Sequence, residues 1–165
     1  TPEEDGKTYL ENATKKALAF YGPAKTPVLS DDSGLELDVL KGQPGILSAR
    51  FGGTTLSWPE RWAYVHSQLR HFPIEKWSAR FRCVLCYFDG HEKYYFEGIA
   101  EGLIVFEPKG KKGFGYDPIF FSAVLKKTFG EATFEEKQRM SHRALAAGQF
   151  LEWAASNLGA QQKIR

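Results

Sequence analysis

The sequence predicts a domain that mixes helices and strands, α/β or α+β and not all of either. Three observations carry this. Helical patterns with capping signals lie near both ends, at about 9–21 and 133–158. A β-rich run occupies the middle, at about 80–107, and it is broken by the hairpin signal Asp89-Gly90. No repeat, low-complexity tract or linker divides the chain, so one domain over 1–165 is expected.

Each element has a local reason. Thr8 followed by Glu11 fits a capping box, with Leu10, Ala13, Ala17 and Tyr21 on one face and Gly22-Pro23 as the stop. Pro27-Val28-Leu29-Ser30 reads as a short buried strand entering the polar cluster Asp31-Asp32-Ser33-Gly34. Leu35, Leu37 and Val39 alternate with acidic residues, as in a half-buried strand or a short helix. Residues 41–57 are turn-rich. Ser57 as N-cap and Pro59 early in the element predict a helix from Trp58 to Leu69. Strands are expected over 80–88, 93–99 and 101–107, then a glycine-rich loop over 109–118 and the apolar strand 119–121. Thr133 and Glu136 form a second capping box, and Ser141 recaps a helix lined by Ala144, Ala147, Leu151, Ala154 and Leu158.

Composition excludes several classes. Apolar residues make 42% and charged residues 25% of the chain, an ordinary globular balance that argues against disorder. A net charge of +2 is too small for a nucleic-acid footprint. No apolar run has the length of a membrane span, so neither nucleic acid nor membrane is an expected partner. Cys83 and Cys86 have C-x-x-C spacing, but on a strand residues three apart face opposite sides, so these read as core cysteines of a reducing, cytoplasmic setting. A Ser-His-Asp set lacks its G-x-S-x-G elbow.

Three constellations can carry chemistry. Asp31 and Asp32 sit where a strand meets a glycine. Neighbouring carboxylates point to opposite sides of a regular strand, but at a strand end one can face a cleft while the other braces it. Glu3 or Glu4 could add a further acidic ligand for a hard cation such as Mg²⁺, which keeps waters and is completed by substrate phosphates. The same Asp-Asp-Ser-Gly also suits a plain turn. Gly110, Gly113 and Gly115, with Lys111 and Lys112, suit close approach to a phosphate ligand, although no P-loop is present. Phe114 and Tyr116 in the tightest part argue against a merely solvated turn. Lys137, His142 and Arg143 flank a helix break that gathers them, and arginine is the side chain best suited to the O6 and N7 acceptors of a 6-oxo purine.

Six stretches occur together: Glu4 to Lys16, Leu29 to Asp38, Gly42 to Arg50, Ala79 to Cys83, Gly113 to Phe120 and Glu135 to Arg143. In order and spacing they resemble the inosine triphosphate pyrophosphatase family, which hydrolyses non-canonical purine nucleoside triphosphates. The resemblance implies an elongated mixed sheet flanked by helices in two lobes, a nucleotide cleft between them, and a homodimer. It implies Mg²⁺-dependent conversion of ITP, dITP and XTP to monophosphate and pyrophosphate. Asp32 would be the general base and a metal ligand with Asp31 beside it and Glu4 as a second acidic ligand. Lys16 would contact the triphosphate and Ser33 the substrate. Phe114, Gly115, Tyr116 and Asp117 would hold the base, with Phe114 stacking on it. Lys137, His142 and Arg143 would donate to its 6-oxo edge. A donor aimed at O6 meets the N6 donor of adenine, and leaving a buried polar group unpaired can reject ATP by about 10⁴.

The family also carries a first strand and a Ser/Thr-x-Asn-x-x-Lys phosphate motif upstream of the Glu-Asp-Gly stretch, which residues 1–165 do not include. The expectation is therefore an N-terminally incomplete domain, and a binding module without turnover is one alternative. A pyrophosphatase of different base preference is another. A nucleic-acid protein using Lys109, Lys111, Lys112, Lys126 and Lys127 is a third, which the near-neutral charge disfavours.

Overall fold

The computed structural model describes residues 2–158. Its frame is one sheet in the order β1 (Val28–Leu37), β2 (Ser78–Phe88), β3 (Lys93–Ile104), β4 (Phe120–Ser122) and β5 (Lys127–Thr128), and every pairing among the described residues is antiparallel. Helix α1 (Tyr9–Ala24) precedes β1, α2 (Trp58–Leu69) lies between β1 and β2, and α3 (Phe134–Met140) and α4 (His142–Asn157) follow the sheet.

Period-two alternation sorts β1 onto two faces. Ser30 and Asp32 face α1, where Ala13, Ala17, Cys86 and Phe88 form a small core. Asp31, Ser33, Leu35 and Leu37 pair with Leu85, Cys83, Phe81 and Ala79 on the other face. At one end of that face α4 packs Ala146, Phe150 and Trp153 on Cys83, Leu85, Tyr87 and Phe96. At the other end the main core gathers Leu35, Leu37, Val65, Leu69, Phe81, Ile104, Tyr116, Ile119, Phe120 and Phe129. The two cysteines lie in different cores, on opposite faces, both free and buried.

Several expectations change. Asp31-Asp32-Ser33-Gly34 is neither a turn nor a strand end. β1 runs unbroken through it because β2 pairs with all ten residues. Gly34 is needed for close approach: a Cβ there would lie 2.2 Å from the Gly45 carbonyl oxygen. Likewise the expected strands 93–99 and 101–107 are one strand that ends at Ile104, and β5 is an added short one. Gly98 does not break β3. It lets α4 lie close, since a Cβ there would meet His142 O at 2.0 Å.

Helix α1 continues through Gly22-Pro23 to Ala24 and ends on left-handed Lys25. Thr8 accepts from Glu11 N as expected, but the Glu11 carboxylate takes the amide of Lys7 instead of Thr8. Its buried face is Tyr9, Asn12, Ala13 and Ala17, while Leu10 is exposed. On α4 the expected stripe is rotated. Aromatic packing of Phe150 and Trp153 on Tyr87, Tyr94 and Phe96 leaves Leu151 64% exposed. The Thr133–Glu136 capping box and the Ser141 cap of α4 form as the sequence indicates, and Ser57 stands at the N-cap of α2 as expected, its amide and hydroxyl donating to the Glu60 carboxylate.

Candidate active site

Two clusters meet at the middle of β1, one on each face. On the α1 face, Asn12 and Lys16 are one helical turn apart and both reach Asp32. Asn12 Nδ2 donates to Asp32 Oδ2 at 3.1 Å, and Asn12 Oδ1 accepts from Gly6 N at 2.8 Å. Lys16 Nζ lies 3.2 Å from Asp32 Oδ1, 2.7 Å from Glu4 Oε1 and 2.9 Å from the Asp31 carbonyl oxygen. Arg50 donates to the Glu4 carbonyl at 3.1 Å and ties down the N-terminal approach.

Burial raises the pKa of the Asp32 carboxyl above its ordinary value, although the Asn12 bond and the Lys16 charge pull the other way. Burial alone would lower Lys16, but its hydrogen bond to Glu4 and the Asp32 charge outweigh that and hold the ammonium above its usual range. Glu4 and Asp32 are thus close enough to share one cation, and Lys16 is that cation here. Among the described residues no group of three or more His, Cys, Asp and Glu side chains gathers in a way that could hold a metal ion.

On the opposite face a cavity of ≈ 1020 Å³ is lined by Ser33, Phe81, Phe114, Tyr116, His142 and Arg143, among others. The Gly113–Asp117 turn presents Phe114, which is 65% exposed. Lys137 Nζ and the Arg143 guanidinium each lie 5.4 Å from that ring's centroid. Asp117, almost fully buried, accepts from Phe114 N at 2.8 Å and Lys137 Nζ at 2.5 Å, which fixes the turn to α3. Tyr116 donates its hydroxyl to Ser48 O at 2.8 Å. His142 stacks on Phe81, with centroids 4.7 Å apart. Burial, then the charges of Arg143 and Lys137, lowers its pKa to about 3, so the ring is neutral at pH 7. Its Nδ1 is buried with no partner among the described residues.

The structure gathers Glu4, Lys16 and Asp32 in one cluster and Phe114, Tyr116, Asp117, Lys137, His142 and Arg143 around the cavity. Ser33 lies on the cavity side of the strand between them. Asp31 parts from Asp32: its carboxylate faces the cavity side and accepts from Arg143 Nε at 3.0 Å. The strand alternation that the sequence reading relaxed for a strand end therefore holds in full. Glu3 makes no ion pair among the described residues; Glu4 does. The sequence reading missed Asn12, although its four-residue spacing from Lys16 could have revealed it. It also missed Trp58 and Trp62, whose contacts with Gly115 and Tyr116 are tertiary.

A dITP/XTP pyrophosphatase of Dictyoglomus thermophilum is 48% identical over 147 residues, covering 88% of this chain and 71% of that protein. The structure of the Staphylococcus aureus Ham1 protein superposes with a TM-score of 0.87 at 34% identity, over 94% of this chain and 81% of its own. A HAM1 protein from Coxiella burnetii gives 0.88 at 36% identity, over 93% and 80%. The Ham1 family matches residues 1–153, nearly every element described above. The chain belongs to the Ham1 family.

Proposed function

We propose that this protein hydrolyses non-canonical purine nucleoside triphosphates, ITP, dITP and XTP, to the monophosphate and pyrophosphate. The observation that carries the reading is the division of labour across β1. A buried carboxylate with a lysine lies on one face, and an aromatic cavity edged by cationic groups lies on the other. The similarity to dITP/XTP pyrophosphatases supports the same reaction.

The base would lie against Phe114, with Arg143, Lys137 and the His142 ring at its 6-oxo edge and Asp117 holding the turn. Ser33 lies on the strand between base and phosphates. Lys16 would receive the phosphates, and Asp32, made more basic by burial, would take a proton from the attacking water. The water oxygen then bonds to phosphorus as the pyrophosphate oxygen departs. The hard oxygen donors of Glu4 and Asp32, already within reach of one shared cation, fit Mg²⁺. Bound there, the ion would neutralise charge on the phosphates. Asp31, paired with Arg143, would steady the base-reading side. The family resemblance also supports a homodimer, and two free buried cysteines fit a cytoplasmic setting.

The test is pyrophosphate release from ITP, XTP, GTP and ATP, with and without Mg²⁺. Metal-dependent release from ITP and XTP, with little from ATP, is expected. Tight ITP binding without release would assign the chain to a binding module instead.

A further inference from the structure

The first two turns of α2 place two tryptophans against the turn that carries Phe114. Trp58 lines the cavity and keeps 37% of its surface exposed. Its ring meets Tyr116 edge-on, with centroids 5.2 Å apart at 75°. Its outer ring carbons lie only 3.6–3.9 Å from where a Cβ on Gly115 would be. The Arg61 guanidinium sits 5.3 Å from the ring centroid. Arg61 is 3% exposed and donates to the carbonyls of Phe51, Gly53 and Leu56, so the support beneath Trp58 is rigid. Trp62 Nε1 donates to Gly115 O at 2.9 Å. Trp77 likewise spends its indole on Phe72 O at 3.1 Å. Trp58 has no such partner among the described residues, although its indole carries the same donor. A large ring with a rigid back, an open surface on the cavity and an uncommitted N–H is built to touch a ligand.

We infer that Trp58 is a contact wall of the nucleobase pocket, and that Trp62 is a positioning residue that holds the Gly115 turn, and with it Phe114, at the depth the base requires. This rests on the nucleotide reading of the cavity. Stacking on an aromatic ring contributes to base binding whatever the chemistry at the phosphates, so Trp58 acts on KM more than on kcat.

The experiment combines kinetics with intrinsic fluorescence, using inosine 5′-monophosphate as the probe. Addition of the probe should quench wild-type emission. Trp58→Phe should lose most of that fractional change, while Trp153→Phe, altered in the α4 core, should retain it. Trp58→Ala should raise KM for ITP about tenfold with a much smaller change in kcat, and Trp58→Phe should restore most of the loss. Trp62→Phe, which keeps a ring but removes the donor to Gly115 O, should raise KM by a smaller factor. Undiminished quenching in Trp58→Phe, or an unchanged KM in Trp58→Ala, would overturn the inference. Hydrolysis of ITP without any quench would sink this inference and leave the proposed function standing. Quenching that depends on Trp58 without hydrolysis would do the reverse.

Discussion

The two faces of β1 solve different problems. On the α1 face the polar groups are answered before any ligand arrives: Asn12 and Lys16 donate to Asp32, and Lys16 also pairs with Glu4. On the cavity face the side chains are held from behind, by Asp117 on the Phe114 turn and by Trp62 on Gly115, while Phe114 stays exposed and His142 Nδ1 has no partner among the described residues. Chemistry needs a basic carboxylate whose charge is balanced at rest. Recognition needs rigid groups left unsatisfied until the right ligand fills them. A single strand serves both because its side chains alternate.

The comparison breaks first at Asp32. Replacing it with Asn should slow pyrophosphate release by about 10²–10⁴ while nucleotide binding persists, since a proton acceptor is lost and the cavity is untouched. A variant that loses binding as well would show that the faces do not divide the work. On the cavity side, Lys137→Met strands the buried Asp117 carboxylate without its ammonium. The expected loss is about 3–5 kcal/mol of stability, read from the urea midpoint. Asn12→Leu removes one donor to buried Asp32 and the acceptor of Gly6 N. It should lower stability by about 1–3 kcal/mol on the same measurement.

A further effect is a slope. His142 titrates at about 3 in the fold, against an ordinary value of 6.5. Between those limits the unfolded chain binds a proton that the native chain refuses. This group's contribution is therefore complete above about pH 6.5 and declines as pH falls toward 3, by about 1.4 kcal/mol per pH unit. Urea unfolding across that window should show a shallower slope in His142→Gln. An unchanged slope would mean that the imidazole accepts its proton within the fold.

How much was legible follows from range. The capping residues Ser57, Thr133 and Ser141 act within a turn of themselves, and the structure keeps them. The opposite facing of Cys83 and Cys86 needed only the strand period. The continuity of β1 through Asp31–Gly34 was hidden, because turn-forming residues are held extended by β2, some fifty positions away. A similar separation along the chain hid Trp58, whose neighbours Gly115 and Tyr116 come from the loop before β4, and long-range packing turned α4 toward the aromatic side chains of β2 and β3. The candidate residues were visible as chemical types; which face of β1 each would occupy was not, except for the two aspartates, where the alternation rule was set aside for a strand end.

The most direct measurement is the ratio of kcat/KM for ITP over ATP in Lys16→Gln and in Arg143→Gln. Lys16→Gln should depress both substrates alike and leave the ratio near wild type. Arg143→Gln should collapse the ratio with a lesser effect on the better substrate's kcat. An Arg143→Gln enzyme that prefers ITP as strongly as wild type would contradict the assignment of base recognition to the cavity face.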